Sequence, residues 1–213
     1  MKRKLMALIM AAMSVTAMFG MSLTACAAPV ADATPTGVTP NGVIVYDYYV
    51  NDLTGAYEAY PAEYLLAIDA AGITNEMTDY EKCVRINNYL CTVLTYGSND
   101  EFMAYKYRQL TREEALASIE VSHNIGVGAL KTGNAVCSGY ADAFQTMTFM
   151  LGMESYQLQS FAMEHEWNMV VADGVPYYVD VTWNDCLGNN AYLMSPVLWT
   201  DHTYADTTVK AGA

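Results

Sequence analysis

Basic residues are scarce: ten Lys and Arg stand against 23 Asp and Glu in 213 residues, for a formal charge of −13. A surface so poor in cations is unsuited to displacing counterions from nucleic acid. It is equally unsuited to lying on an anionic membrane face. Three of the ten bases (Lys2, Arg3, Lys4) crowd the N-terminus, and the first 25 residues hold no acid, so the remainder is more acidic still. Histidine is scarcer, with three residues, and no Cys or His spacing resembles a zinc site. No internal repeat is present. Apolar residues, by contrast, make up 53% of the chain, too many for a disordered polymer. The length favours one domain or at most two small ones.

Lys2-Arg3-Lys4 followed by the apolar run Leu5 to Met21 has the layout of a secretory signal. The run is near the short limit for a membrane span and is interrupted by Ser14, Thr16 and Gly20. Leu23-Thr24-Ala25-Cys26 resembles a bacterial lipobox, in which Cys26 is acylated and becomes the first mature residue. Acyl chains and not a helix then anchor the protein. Ala27 to Gly42 is rich in Pro, Thr, Ala and Gly without periodicity and reads as a flexible tether. The expected layout is a signal peptide over 1–25, lipidated Cys and tether over 26–42, a domain over 43–204 and a frayed tail over 205–213. Its expected location is extracytoplasmic, lipid-anchored to a bacterial membrane.

Within the domain, Val43 to Val50 reads as a strand or extended arm, and Pro61 to Ala71 as a short helix closed by Gly72. Thr78-Asp79-Tyr80-Glu81 is a capping box; Cys83, Ile86, Leu90 and Leu94 follow at helical spacing, with Gly97 as the stop. Thr111-Arg112-Glu113-Glu114 predicts a second box and a helix through Ile119. Gly126, Gly128 and Gly133 read as chain breaks. From Ser138 to Leu151, Tyr140, Phe144, Met147 and Leu151 mark a buried helix that Gly152 ends. Glu154 to Phe161 is a predicted strand. His165 to Ala172 and Val175 to Trp183 are two more, joined at Asp173-Gly174 in a hairpin. Asn184 to Asn190 is a predicted loop and Ala191 to Leu198 a last strand. Helices first and strands after suggest an α+β domain.

Cys83 and Cys91 lie eight residues apart on one predicted helix, about 12 Å at a rise of about 1.5 Å per residue, too far for a disulfide. Pairing of either with Cys186 stays open beside the plainer reading of buried free thiols. Cys137 differs, because it opens the helix that runs to Leu151. The N-terminal end of the helix dipole favours an anion there, which raises the thiolate fraction. The same backbone N–H groups suit an oxyanion formed beside the sulfur. A two-residue turn at Asp173-Gly174 sets Ala172 opposite Val175, Trp167 opposite Asp180 and His165 opposite Thr182. His165 and Asp180 then share a face as diagonal neighbours, about 7–8 Å apart at the backbone, close enough for a hydrogen bond between side chains.

Gly133-Asn134-Ala135-Val136-Cys137-Ser138-Gly139-Tyr140-Ala141, Glu164-His165-Glu166-Trp167-Asn168 and Tyr178-Val179-Asp180-Val181-Thr182-Trp183-Asn184-Asp185 together resemble the bacterial branch of the transglutaminase-like superfamily. The resemblance runs from about Thr78 to Tyr204. It implies a papain-like core and a catalytic triad of Cys137, His165 and Asp180, in that chain order, with no metal or organic cofactor. It also implies an amide substrate, a thioester on Cys137, and an oxyanion held by the Cys137 N–H and by a side chain upstream, for which Tyr96 is the candidate. Capture of the thioester by an amine makes a transglutaminase; capture by water makes a peptidase or amidase. A non-catalytic surface binding lipoprotein is the reading from another class. The expected partners are protein or peptide substrates, cationic or wall-associated in view of the charge. Trp167 and Trp183 are expected to pack, Asn168, Asn184 and Asp185 to shape turns, and His123 and His202 to serve surface or capping roles. Tyr46, Tyr48, Tyr49, Tyr57, Tyr60 and Tyr64 are expected to pack as well.

Overall fold

The computed structural model describes residues 35–46, 49–50, 57–58, 61–97, 125–203 and 205–210. The signal segment, Cys26, the box at Thr111 and His123 lie outside these residues. No helix among the described residues is long and apolar enough to cross a membrane.

The described chain begins within the segment that composition assigns to the tether. β1 (Pro35–Val38) pairs antiparallel with β2 (Ile44–Tyr46), with Gly42 at φ 86° in the turn and Thr39 buried. β3 (Tyr49–Val50) pairs with β4 (Tyr57–Glu58). α1 (Ala62–Ala70) follows Pro61, as its sequence predicts, and Gly72 turns the chain at φ 68°.

α2 (Asp79–Val93) opens on the reciprocal capping box: the Glu81 N–H donates to Thr78 Oγ1 at 3.2 Å, and the Thr78 N–H donates to Glu81 Oε2 at 2.9 Å. Its Cys83, Ile86 and Leu90 are fully buried. The helix ends at Leu94 and not at Gly97, because the next residues are taken by a strand. β5 (Thr95–Tyr96) pairs in parallel with β6 (Asn134–Ala135). Gly126 and Gly128 are not breaks; they lie in a helix, α3 (Gly126–Thr132). A Cβ on Gly126 would stand 2.7 Å from the Ala143 backbone, so the missing side chain is what lets α3 approach the next helix. Of the three, only Gly133, at φ 73°, interrupts a helix, as the C-cap of α3.

α4 (Cys137–Met150) buries Tyr140, Phe144, Met147 and Met150 against α2 and the sheet, and Gly152 leaves it at φ 87°. Each such side chain contributes about 1.5–3 kcal/mol on burial. The sheet runs in the order β10, β7, β8, β9, all antiparallel, from β7 (Glu154–Ser160), β8 (His165–Ala172), β9 (Val175–Val179) and β10 (Thr207–Lys210). β10 replaces part of the expected frayed tail, since Thr207–Lys210 finds a free edge on β7.

Asp173 and Gly174 turn with φ 51° and 77°, a two-residue turn of the primed kind, and Ala172 faces Val175 as expected. That register holds as far as Asn168 opposite Val179. The predicted strand to Trp183 stops there. Asp180 becomes the N-cap of α5 (Val181–Leu187), and Gly188 closes that helix at φ 62°. Most of the loop predicted for Asn184 to Asn190 is therefore helix. The last predicted strand is also absent: residues 191–198 run beside β9 with one bridge, Tyr178 to Ser195. The Asp180 N–H donates to the Tyr192 carbonyl at 2.9 Å. The architecture is α+β.

Candidate active site

The chain delivers Cys137 through β6, which is tied on both sides of its pairing. The Thr95 N–H donates to the Gly133 carbonyl and the Gly97 N–H to the Ala135 carbonyl, each at 2.9 Å. Cys137 is the first residue of α4, with Val136 as N-cap, so the N–H groups of the first turn have no carbonyl of that helix to meet. Its side chain is half-buried. Cys83, Cys91, Cys137 and Cys186 are all free, which resolves the pairing left open for Cys186. Burial pushes the Cys83 thiol far up, and burial with the nearby Asp185 carboxylate pushes Cys91 up to about 12. Those two remain protonated packing groups.

His165, the first residue of β8, meets Asp180 with Nε2 to Oδ2 at 2.7 Å, although the strand pairing expected to unite them has ended. The strand-to-helix junction does the same work. Asp180 is fully buried, Oδ1 caps α5 by accepting from the Trp183 N–H at 3.0 Å, and Oδ2 is left for the imidazole. Cys137 also lies near enough to His165 to act on its ring. With Nε2 committed to Asp180, Nδ1 is the nitrogen left for the sulfur. Burial disfavours the charged ring, but the hydrogen bond to Asp180 and the nearby Cys137 outweigh it and raise the imidazole to about 9. Burial likewise opposes ionisation of Asp180, and hydrogen bonds from His165 and His202 overcome it, lowering its pKa.

The neighbouring motif residues hold this geometry. Trp167 and Trp183 both stack on His165, at ring distances of 6.0 and 5.4 Å. Asn168 Nδ2 donates to the Ala141 carbonyl at 2.9 Å, joining β8 to α4. Asp185 accepts from the Tyr140 hydroxyl at 2.5 Å, joining α5 to α4. Buried Asn184 donates to Asn87 Oδ1 and accepts from the Tyr192 N–H, each at 2.9 Å. These residues do more than shape turns. Tyr96, half-exposed on β5, lies beside Ala135, two residues before the nucleophile candidate. Burial first, then Cys137 and Cys186, push its phenol up.

Sequence reasoning missed His202. It is buried, not a surface or capping residue, and its Nε2 lies 3.0 Å from the same Asp180 Oδ2 that meets His165. No periodicity marks it; the available signal was Asp201-His202 close behind Trp199 in a chain with only three histidines. His165, Asp180 and His202 offer ligand atoms within 4.8 Å of one another. Both imidazole nitrogens in that group already point at one carboxylate oxygen, so the arrangement is a closed hydrogen-bond chain, and a cation would have to break it.

No family model matches the chain, and no curated protein does. Among solved structures the chain is similar to a crystal structure of a TGase, at 15% identity and a TM-score of 0.42. The match covers 68% of this chain and 34% of that one, so the chain spans about a third of its length.

Proposed function

We propose that this chain is a transglutaminase-like thiol acyltransferase with a papain-like core, acting on the glutamine or peptide amides of proteins. One observation carries the reading: the His165 ring meets the buried Asp180 carboxylate at 2.7 Å and lies within electrostatic reach of the Cys137 thiol at a helix N-terminus. Cys137 gives its thiol proton to His165 Nδ1 as the sulfur adds to the amide carbonyl, and the developing oxyanion turns toward the Cys137 N–H, with Tyr96 as the candidate second donor. His165 donates the Nδ1 proton to the leaving nitrogen as the C–N bond breaks, which leaves a thioester. An incoming amine then attacks the thioester carbonyl and gives its proton to His165 as the C–S bond breaks. Asp180 keeps the ring in place and balances its charge. Acidic composition suits cationic donors and acceptors, such as lysine-bearing proteins or wall peptides. The lipobox at Cys26 supports an anchored, extracytoplasmic location.

The test mixes the protein with a glutamine-bearing protein and a fluorescent amine. Incorporation of the amine is expected, together with a Cys137 acyl adduct by mass spectrometry, and both vanish in Cys137→Ala while the folded spectrum persists. Hydrolysis without incorporation reassigns the chain to the peptidases and amidases. No adduct and no turnover with any donor leaves a binding lipoprotein.

A further inference from the structure

We infer that His202 is a positioning residue: as a doubly protonated ring, it shares Asp180 Oδ2 with His165 and sets how much of that carboxylate's charge the catalytic imidazole receives. The inference rests on the proposed triad and extends it by a residue from the C-terminal segment. Both nitrogens of His202 face carboxylates, Nε2 toward Asp180 Oδ2 and Nδ1 toward Asp201 Oδ1, each at 3.0 Å. A neutral imidazole has one N–H and satisfies one of them; only the imidazolium donates to both.

Aromatic rings surround the group. The side chain is fully enclosed, and the rings of Trp183, Trp199, Trp167 and Tyr192 stand 4.4, 4.9, 5.1 and 5.4 Å from its centre. Asp201, half-exposed, also accepts from the Tyr192 hydroxyl at 2.5 Å, so the far end of the clamp is itself fixed. The result is one chain of contacts, Cys137–His165–Asp180–His202–Asp201, from the thiol to the surface. The two imidazole centres are 6.0 Å apart, so a charge on one is felt by the other.

Two substitutions separate the charge from the hydrogen bond. His202→Phe keeps a ring in the cage and removes both donors; His202→Gln keeps a donor for Asp180 without the charge. The titratable groups facing His202 are Asp180, Asp201, His165 and Tyr192, while Cys137 and Glu166 act on His165. Loss of the His202 charge should move the titration of the His165 ring upward by about one unit or more in both variants, read from its Cε1–H resonance by NMR. kcat should fall about 10-fold or more in His202→Phe and recover most of that in His202→Gln, with KM unchanged. Cage damage alone would lower thermal stability and leave the His165 titration in place. An unshifted or downshifted titration in folded His202→Gln overturns the inference. The NMR readout needs no turnover, so it stands apart from the fate of the acyl-transfer reading: a shifted titration in a chain with no Cys137 adduct supports the clamp and removes the enzyme.

Discussion

The two faces of the sheet solve different problems with alternate residues of the same strand. Val170 and Ala172 of β8 turn to α4 and enter the large apolar core with Phe144, Met147 and Leu90. Trp167 joins Tyr156 and Leu158 in a second, smaller cluster, with partly buried Met169 and Tyr178 packed against it. There the burial is aromatic, and it surrounds groups that are charged or hydrogen-bonded: His165, Asp180 and His202. Period-two alternation separates the two environments. The first face obtains stability from volume and tolerates imprecision in chemistry. The second tolerates almost none, because a buried polar group that loses its partner costs more than the contact itself is worth.

Opposite responses to substitution would sharpen that contrast. Asp180→Asn changes one atom, and Asn still caps α5. The variant's loss of stability is therefore confined to the charge that the buried imidazoles lose, and it shrinks as pH falls toward the carboxylate range. It no longer balances an imidazolium, and kcat should fall by about 10²–10⁴-fold. Phe144→Ala on the other face should do the reverse. A loss of about 3–5 kcal/mol in urea unfolding is expected, with kcat per folded molecule unchanged. Equal behaviour of the two variants in both assays would erase the distinction between the faces.

What the sequence makes legible follows from the range of each interaction. The capping box at Thr78 and the stripe of α4 are local, and both appear where the spacing puts them. The Asp173-Gly174 turn fixes a register, and the pairs from Ala172 to Asn168 obey it. Past Val179 the side chains of Val181, Thr182 and Trp183 favour a strand, yet Asp180 caps a helix there through a side-chain bond. His165 and Asp180 meet even so, by a junction and not by a ladder. Gly126 reads as a break because close helix packing leaves no trace in one segment alone. His202 was illegible for a similar reason. Its partners Asp180, Trp167 and Trp183 belong to other segments, and only tertiary contact assembles them.

A pH series probes the polar face through the difference between the wild type and a His165 variant, since the core thiols Cys83 and Cys91 contribute alike to both. The folded His165 ring holds its proton up to about 9, against 6.5 for the free side chain, so between those values the folded chain binds a proton that the unfolded chain has released. Stability from this group is full below about pH 6.5 and drains away as pH rises through about 9. Asp180 works at the other end: its lowered pKa contributes stability above the ordinary carboxylate range, which is lost as pH falls. The urea midpoint of the wild type should decline between pH 7 and 10, and that of His165→Gln should be flatter. Identical slopes would mean that the ring's proton is not linked to folding.

The smallest expected effect lies at the opposite end of the same hairpin. Asp173 does two jobs: at φ 51° it forms the turn, and its carboxylate accepts the Asp79 and Tyr80 N–H groups at 3.0 and 3.2 Å, at the start of α2. Asp173→Asn preserves the turn, because Asn adopts that backbone conformation readily. It removes the negative charge from a helix N-terminus where the Thr78–Glu81 box already satisfies part of the first turn. The loss should be about 0.3–1 kcal/mol, shrinking with added salt, with kcat and the His165 titration untouched. A larger loss, or any change in the titration, would mean that the turn communicates with the site through β8 and β9 and that the hairpin is one mechanical unit from Asp173 to Asp180.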